Sequence, residues 1–276
     1  MAGRGGPRAH AGSGAPLTGL PRLPLRHVSG MTLAQRFAAA AEAETAAAAD
    51  DEGHLLPDQL ARATVRVLAV DGAGLSVLTG TRGRCPLGAS SPEAGRAERL
   101  QFTVGTGPCL LAHASGEPVF AAEQDLRRQW PEFADVLVAT TPYRGVVSLP
   151  IPNALAGAGA LDLFLVDPDD VLRLDVFDAL AIGHLVSGAL SDAVASSARS
   201  GAAGPDWLHS PAAVRRAAVW RAVGSLSASL DVDADAALAV LRGHAWATGR
   251  SVDSVAADLV SGRLVTADVV GRPGGP

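Results

Sequence analysis

Near the C-terminal end, three helix-start signals follow one another at short range and constrain the chain more than any other feature. Ser210-Pro211 offers a hydroxyl to free backbone N–H groups and a ring whose fixed φ suits the first helical position. The pattern predicts a helix to about Leu230, roughly 30 Å long. Within it Val219, Val223, Leu226 and Leu230 recur at intervals of 4, 3 and 4, one narrow seam of the kind that joins the helices of a coiled coil. Asp231 or Asp233 then caps a second helix, with Ala237, Leu238, Leu241 and Ala245 inward and Gly249 as its stop. Ser251 caps a third, with Val252, Val255, Ala256 and Leu259 inward. The outline is a long arm carrying a small helical knob.

Particular residues lie on that outline: Ala-x-Gly at Ala222 and Gly224, Leu-Arg at Leu241 and Arg242, then Ala245, and Val-Ala at Val255 and Ala256. Here the chain resembles the ANTAR domain, the RNA-binding antitermination output of bacterial regulators, particularly the actinobacterial form attached to a GAF sensor. The resemblance implies RNA contacts at Arg215, Arg216, Trp220, Arg221, Ala222, Gly224, Arg242 and Ala245. It also implies a homodimer zipped through Val219, Val223, Leu226 and Leu230, so that two knobs grip paired hairpins overlapping a terminator. Trp220 and Arg221 suit stacking on unpaired bases, and Arg242 suits a two-pronged grip on phosphate. The competing role for Arg242 is an ion pair with Asp258. The ANTAR pattern often carries polar residues at the places of Trp220 and Arg221, and Val223 and Ser225 also depart from its commoner choices.

Charge opposes this reading in part. Pro205 to Gly271 holds six arginines and seven aspartates, a poor balance for a phosphate binder unless the arginines share a face and the aspartates cap helices elsewhere. The overall charge of −5 is uneven, because Arg4, Arg8, Arg22 and Arg26 stand in the first 30 residues without an acid. Those residues are rich in Gly and Pro, lack hydrophobic periodicity and read as a disordered basic tail over 1–30. Met31 opens a better sequence, with Thr32 and Gln35 placed as a capping box, so an upstream start codon explains the tail. An arm that assists RNA binding, or a transit peptide, is the alternative.

Before the three helices, the chain reads as helices at about 32–49 and from Pro57, a strand from Ala73 to Thr79 and a hairpin partner around Arg84 to Ala89. Further strands are predicted at Pro118 to Ala121, Arg144 to Ile151 and Ala160 to Val166, the last two antiparallel. Short helices fall near Glu93 to Arg99, Pro108 to Ala114 and Pro131 to Val138, and a long one runs from about Leu174 to Ala195. The residues Glu98 to Phe102, Gly105-Thr106-Gly107-Pro108-Cys109, Gly116 to Val119, Asp125, Trp130-Pro131, Val146 to Pro150 and Ala160 to Leu163 resemble a GAF domain. The expected fold class is therefore α+β: a GAF-like antiparallel sheet flanked by helices, then an all-α three-helix ANTAR domain with a coiled-coil-like first helix. Boundaries fall at 31–195 for the sensor with its N-terminal helices, 196–206 for a linker, 207–266 for the RNA-binding domain and 267–276 for a disordered tail.

Gly105, Gly107 and Cys109 mark a candidate ligand site, since a glycine turn entering a helix can present N–H groups to an anion and lower a thiol's pKa. The commoner roles are a plain turn and a packed cysteine. His113 stands one helical turn beyond Cys109, while His113, His184 and His244 lack neighbours at metal-ligand spacing, so no metal or cofactor is expected. Trp130 and Trp246 read as packing residues. Cys85 and Cys109 make no disulfide framework, no secretory apolar segment leads the chain, and the longest uncharged run, Gly145 to Leu161, is broken by prolines and glycine. With 48% apolar and 18% charged residues, the expectation is a globular cytoplasmic regulator without a membrane span. Its sensor takes a small molecule or protein signal, and it is not an enzyme. A DNA-binding regulator and a methionine-sulfoxide-reducing GAF enzyme are the alternatives. The final helix offers a DNA groove only Arg263, and the two cysteines are far apart in sequence.

Overall fold

The computed structural model describes residues 30–48, 55–79, 83–154, 157–201 and 204–271. The basic tail expected at 1–30 lies, except for Gly30, outside the described residues. The chain forms a sheet lobe and a helical lobe that pack on one another.

The sheet lobe opens with α1 (Leu33–Ala48) and α2 (Leu56–Leu68). The capping box forms: Thr32 N–H donates to Gln35 Oε1 at 2.8 Å and Gln35 N–H to Thr32 Oγ1 at 3.2 Å. The strands β1 (Gly72–Thr79) and β2 (Gly83–Ala89) follow as a hairpin, with β3 (Val119–Ala122), β4 (Gly145–Ala154) and β5 (Gly157–Leu165) later. They make one antiparallel five-stranded sheet in the order β2-β1-β5-β4-β3. Between β2 and β4 come α3 (Pro92–Val104), α4 (Pro108–Ser115), α5 (Glu123–Gln129) and α6 (Pro131–Thr140). After β5 come α7 (Asp170–Arg173) and α8 (Val176–Arg199).

Strand alternation separates two chemically different faces. Ala73, Leu75 and Val77 of β1, Val147, Leu149 and Ile151 of β4, and Leu161, Leu163 and Leu165 of β5 join the apolar core under α1, α2 and α8. The intervening residues, including Ser76, Ser148 and Asp162, are buried on the other face, toward α3 and α4. By length and composition α8 is apolar enough to cross a bilayer, yet its Ala179, Ile182, Val186 and Leu190 are buried in the sheet-lobe core.

The connection to the helical lobe differs from a free linker. The helix α8 continues to Arg199, and a short 3-10 turn, Asp206–His209, buries Trp207 in the sheet-lobe core. A large ring left in water would have cost the chain the transfer free energy that burial recovers, so the turn is anchored.

Ser210 caps α9 (Pro211–Leu230), Asp233 caps α10 (Ala234–Ala247) and Ser251 caps α11 (Val252–Val260), each side chain accepting from an N–H three residues on. Asp231 instead ends α9 with a left-handed φ of 53°. The tail expected to be disordered from 267 contains a further helix, α12 (Thr266–Val270), because Val269 reaches the helical core. The seam on α9 is correctly spaced but already filled. Val219, Val223 and Leu226 are buried among Ala237, Leu241, Val252, Val255 and Ala256 of the same chain, with Leu230 half-buried beside them. The arm is therefore the central element of a compact helical lobe. Nor is it free along its length, for α9 also lies beside β2 and α10 beside α3.

Candidate functional site

The polar face of the sheet carries an unusual centre. Asp162 is fully buried, and its carboxylate accepts from Ser148 Oγ at 2.5 Å and from Gln101 Nε2 at 3.0 Å. Gln101, on α3, turns its other end to the start of α4, where its Oε1 accepts from Cys109 N–H at 2.9 Å. The Cys109 thiol is buried 3.8 Å from Ser76 Oγ. A buried carboxylate persists only when donors replace its water, and here a serine and a glutamine do so.

This network decides what the glycine turn does. Gly105 and Gly107 take φ values of 84° and 151°, in the region that favours glycine. A Cβ on Gly107 would meet Gln101 Oε1 at 2.7 Å, and one on Gly105 would meet the Arg242 guanidinium at 3.0 Å. The Cys109 N–H proposed for an anion is engaged by Gln101, so the turn joins α3 to α4. Gln101, Ser148 and Asp162 were not singled out as site residues. For Ser148 and Asp162 the signal is a polar residue at an inward position of an otherwise apolar strand, which shows only once the register is known, and for Gln101 it is a polar residue on the buried side of α3.

Residues next to Gln101 on α3 face the helical lobe, whereas Ala94 and Ala97 pack in the sheet lobe. Phe102, next to Gln101, is 1% exposed and enters the helical core. The Arg216 guanidinium lies 3.3 Å from its ring centroid, Arg242 lies 5.0 Å away, and Trp220 meets the ring edge-on at 6.3 Å. Arg242 Nε donates to the Phe102 carbonyl at 3.0 Å, and Val252 N–H donates to Thr103 Oγ1 at 3.3 Å. Arg216, 2% exposed, also faces Asp253 at 3.7 Å. Burial holds the Arg242 guanidinium below its ordinary pKa. A desolvated cation over an aromatic face is worth about 2 kcal/mol. The result is a clasp, with one ring of the sheet lobe gripped by two arginines of the helical lobe.

The residues expected to touch RNA are thus divided. Arg216 and Arg242 are committed to Phe102, Trp220 is half-buried against it, and Ala222 and Ala245 are fully buried in the helical core. Arg215, Arg221 and Gly224 are exposed. The ion pair considered for Arg242 forms elsewhere: Asp258 receives Arg250 at 2.5 Å and Arg263 at 2.6 Å. Among the described residues no group of three or more His, Cys, Asp or Glu is placed to hold a metal ion.

Two solved GAF domains are similar to the chain. One, from a phosphoenolpyruvate-protein phosphotransferase of Coxiella burnetii, is 15% identical with a TM-score of 0.42, the match covering 62% of this chain and 99% of that one. The other, from an Acinetobacter phosphoenolpyruvate-protein phosphotransferase, is 12% identical with a TM-score of 0.37 and covers 58% and 96%. No sequence-family profile matches the chain, and no curated protein does.

Proposed function

We propose that the chain is a signal-responsive regulator in which a GAF-type sheet lobe controls an ANTAR-type, RNA-binding helical lobe that favours antitermination. The observation that carries the reading is the clasp. Arg242, of the Leu241-Arg242 pair that is one of the features carrying the resemblance to an RNA-binding output, is held by Phe102 of the sheet lobe. With Nε spent on the Phe102 carbonyl and the guanidinium buried beside the ring, Arg242 is poorly presented to a phosphate outside the molecule. The arrangement described here is therefore the closed one, and a signal acts by loosening α3 from α9 and α10.

The same logic sets the order of events. Dimerisation through Val219, Val223 and Leu226 requires these residues to leave the core they share with α10 and α11, so assembly follows opening. Two knobs then engage two hairpins, and the second contact gains from effective concentration. This offsets the weak net charge of one knob.

The test is a gel shift of the full chain against RNA with paired hexanucleotide-loop hairpins at low salt, with wild type beside Phe102→Ala. The variant is expected to bind at least about tenfold more tightly than wild type, since the clasp no longer competes for its arginines. Failure of both proteins to retain any structured RNA, with helix content intact by circular dichroism, would sink the RNA role. Binding to duplex DNA in preference to RNA would favour the DNA-binding alternative instead.

A further inference from the structure

A second feature of the junction is a cavity of about 480 Å³ where the start of α3 meets the start of α9. The sheet lobe lines it with Ser91, Gly95 and Arg99, and the helical lobe with Ser210, Ala212 and Arg215. Arg99 and Arg215 have no hydrogen bond or ion pair among the described residues. Yet they are close enough that Arg215, after burial itself, is the largest influence holding the Arg99 guanidinium below its ordinary pKa. Two like charges from separate lobes thus share one partly enclosed space, where Asp253 and then Glu98 offset part of the strain on Arg99 without pairing with it.

Most other charged groups on the wall have partners in the protein, Asp253 only through one oxygen. Arg62 pairs with Glu44 at 3.4 Å, and Arg96 Nη1 donates to the Thr140 carbonyl at 3.4 Å. Asp58 accepts from Ala89 N–H at 2.8 Å, Asp253 faces Arg216, and Glu98 is buried against Gly74 of β1. Two helix starts add to the positive side, because the first-turn N–H groups of α3 and α9 lack intrahelical partners except where Ser91 and Ser210 cap them. Unpaired arginines, helix N-termini and the mutual repulsion of Arg99 and Arg215 all ask for the same thing, an anion between the lobes. The volume lies in the range of sites for organic ligands and exceeds what a bare inorganic ion fills.

We propose that this cavity binds a small organic polyoxyanion, a phosphorylated or multiply carboxylated metabolite, whose charged groups bridge Arg99 of the sheet lobe and Arg215 of the helical lobe. Such a ligand fastens the closed arrangement, since it contacts both lobes there and loses one set of contacts when they part. The site stands apart from the polar centre around Asp162, and it needs no RNA to be tested.

The experiment is calorimetric titration of the full chain with pyrophosphate and, separately, with citrate, at ionic strength matched by sodium chloride. At least one probe is expected to bind saturably at one site and to raise the melting temperature. Preference for pyrophosphate points to a phosphorylated ligand and preference for citrate to a carboxylated one. Arg99→Gln and Arg215→Gln should each weaken binding by at least about tenfold, whereas Arg199→Gln, at the end of α8, should leave it unchanged. Arg215 is exposed, so its variant remains folded even if Arg99→Gln proves unstable. Absence of saturable binding by both probes, or equal affinity in Arg215→Gln and wild type, overturns the proposal. Neither result decides whether the chain binds RNA, which the gel shift without added anion tests separately.

Discussion

At the scale of single residues, Gln101 joins more of the sheet lobe than its size suggests. One amide holds the Asp162 carboxylate and the first turn of α4 together. Replacing it with leucine, similar in length but without hydrogen-bonding groups, strands a buried carboxylate oxygen and a buried N–H. The expected loss is about 2 to 5 kcal/mol, the summed cost of two unsatisfied groups, one of them charged. Urea denaturation of Gln101→Leu against wild type measures it, and an unchanged midpoint would show that water takes over both contacts. Neighbouring Phe102 was legible in the sequence only as part of the GAF resemblance. An aromatic residue at a helical position predicts burial, but the sequence does not say which lobe does the burying. Arg216 and Arg242 were equally ambiguous, because an arginine bound for a ring and one bound for phosphate look identical in a string of letters.

At the scale of elements, much was readable because the signals are local. Caps at Ser210, Asp233 and Ser251, the box at Thr32 and Gln35, and the alternation along β1, β4 and β5 depend on residues within a few positions of each other. The short helices α5, α7 and α12 were not foreseen: they have few residues over which a period can show, and tertiary packing of Leu126, Val171 and Val269 holds them. The partner of a seam is likewise invisible to spacing, so the stripe on α9 reads the same whether α10 or a second copy fills it. The end of α11 carries a test of its own. Hydrogen bonds from Arg250, then Arg263, hold the Asp258 carboxyl below its ordinary value near 3.8. A group whose folded pKa is depressed contributes stability above its unfolded value and loses it as pH falls through the folded one. Asp258→Asn should therefore show a shallower decline of melting temperature below about pH 4 than wild type, with the two curves parallel at neutral pH. Parallel curves throughout would mean that the arginine pair contributes nothing.

At the scale of the whole molecule, the lobes are tied by a ring, two arginines and two hydrogen bonds between side chain and backbone rather than by the chain alone. They should unfold together. Differential scanning calorimetry of wild type is expected to give one transition, and Phe102→Ala two, the helical lobe melting first because its core loses about 3 to 5 kcal/mol with the ring. A single transition in the variant would place the coupling in the Trp207 anchor and the contact of α9 with β2 instead.

The helix α3 presents consecutive residues to different masters: Gln101 to the sheet, Phe102 and Thr103 to the other lobe. Drift at such a place is not independent. A lineage that replaces the ring at 102 leaves a guanidinium at 216 without its cushion, and one that drops the guanidinium leaves Asp253 beside an empty seat. Descendants of this chain should accordingly alter positions 102, 216 and 253 as a set, while the exposed arginines at 215 and 221 remain at liberty to follow whatever they meet outside the molecule.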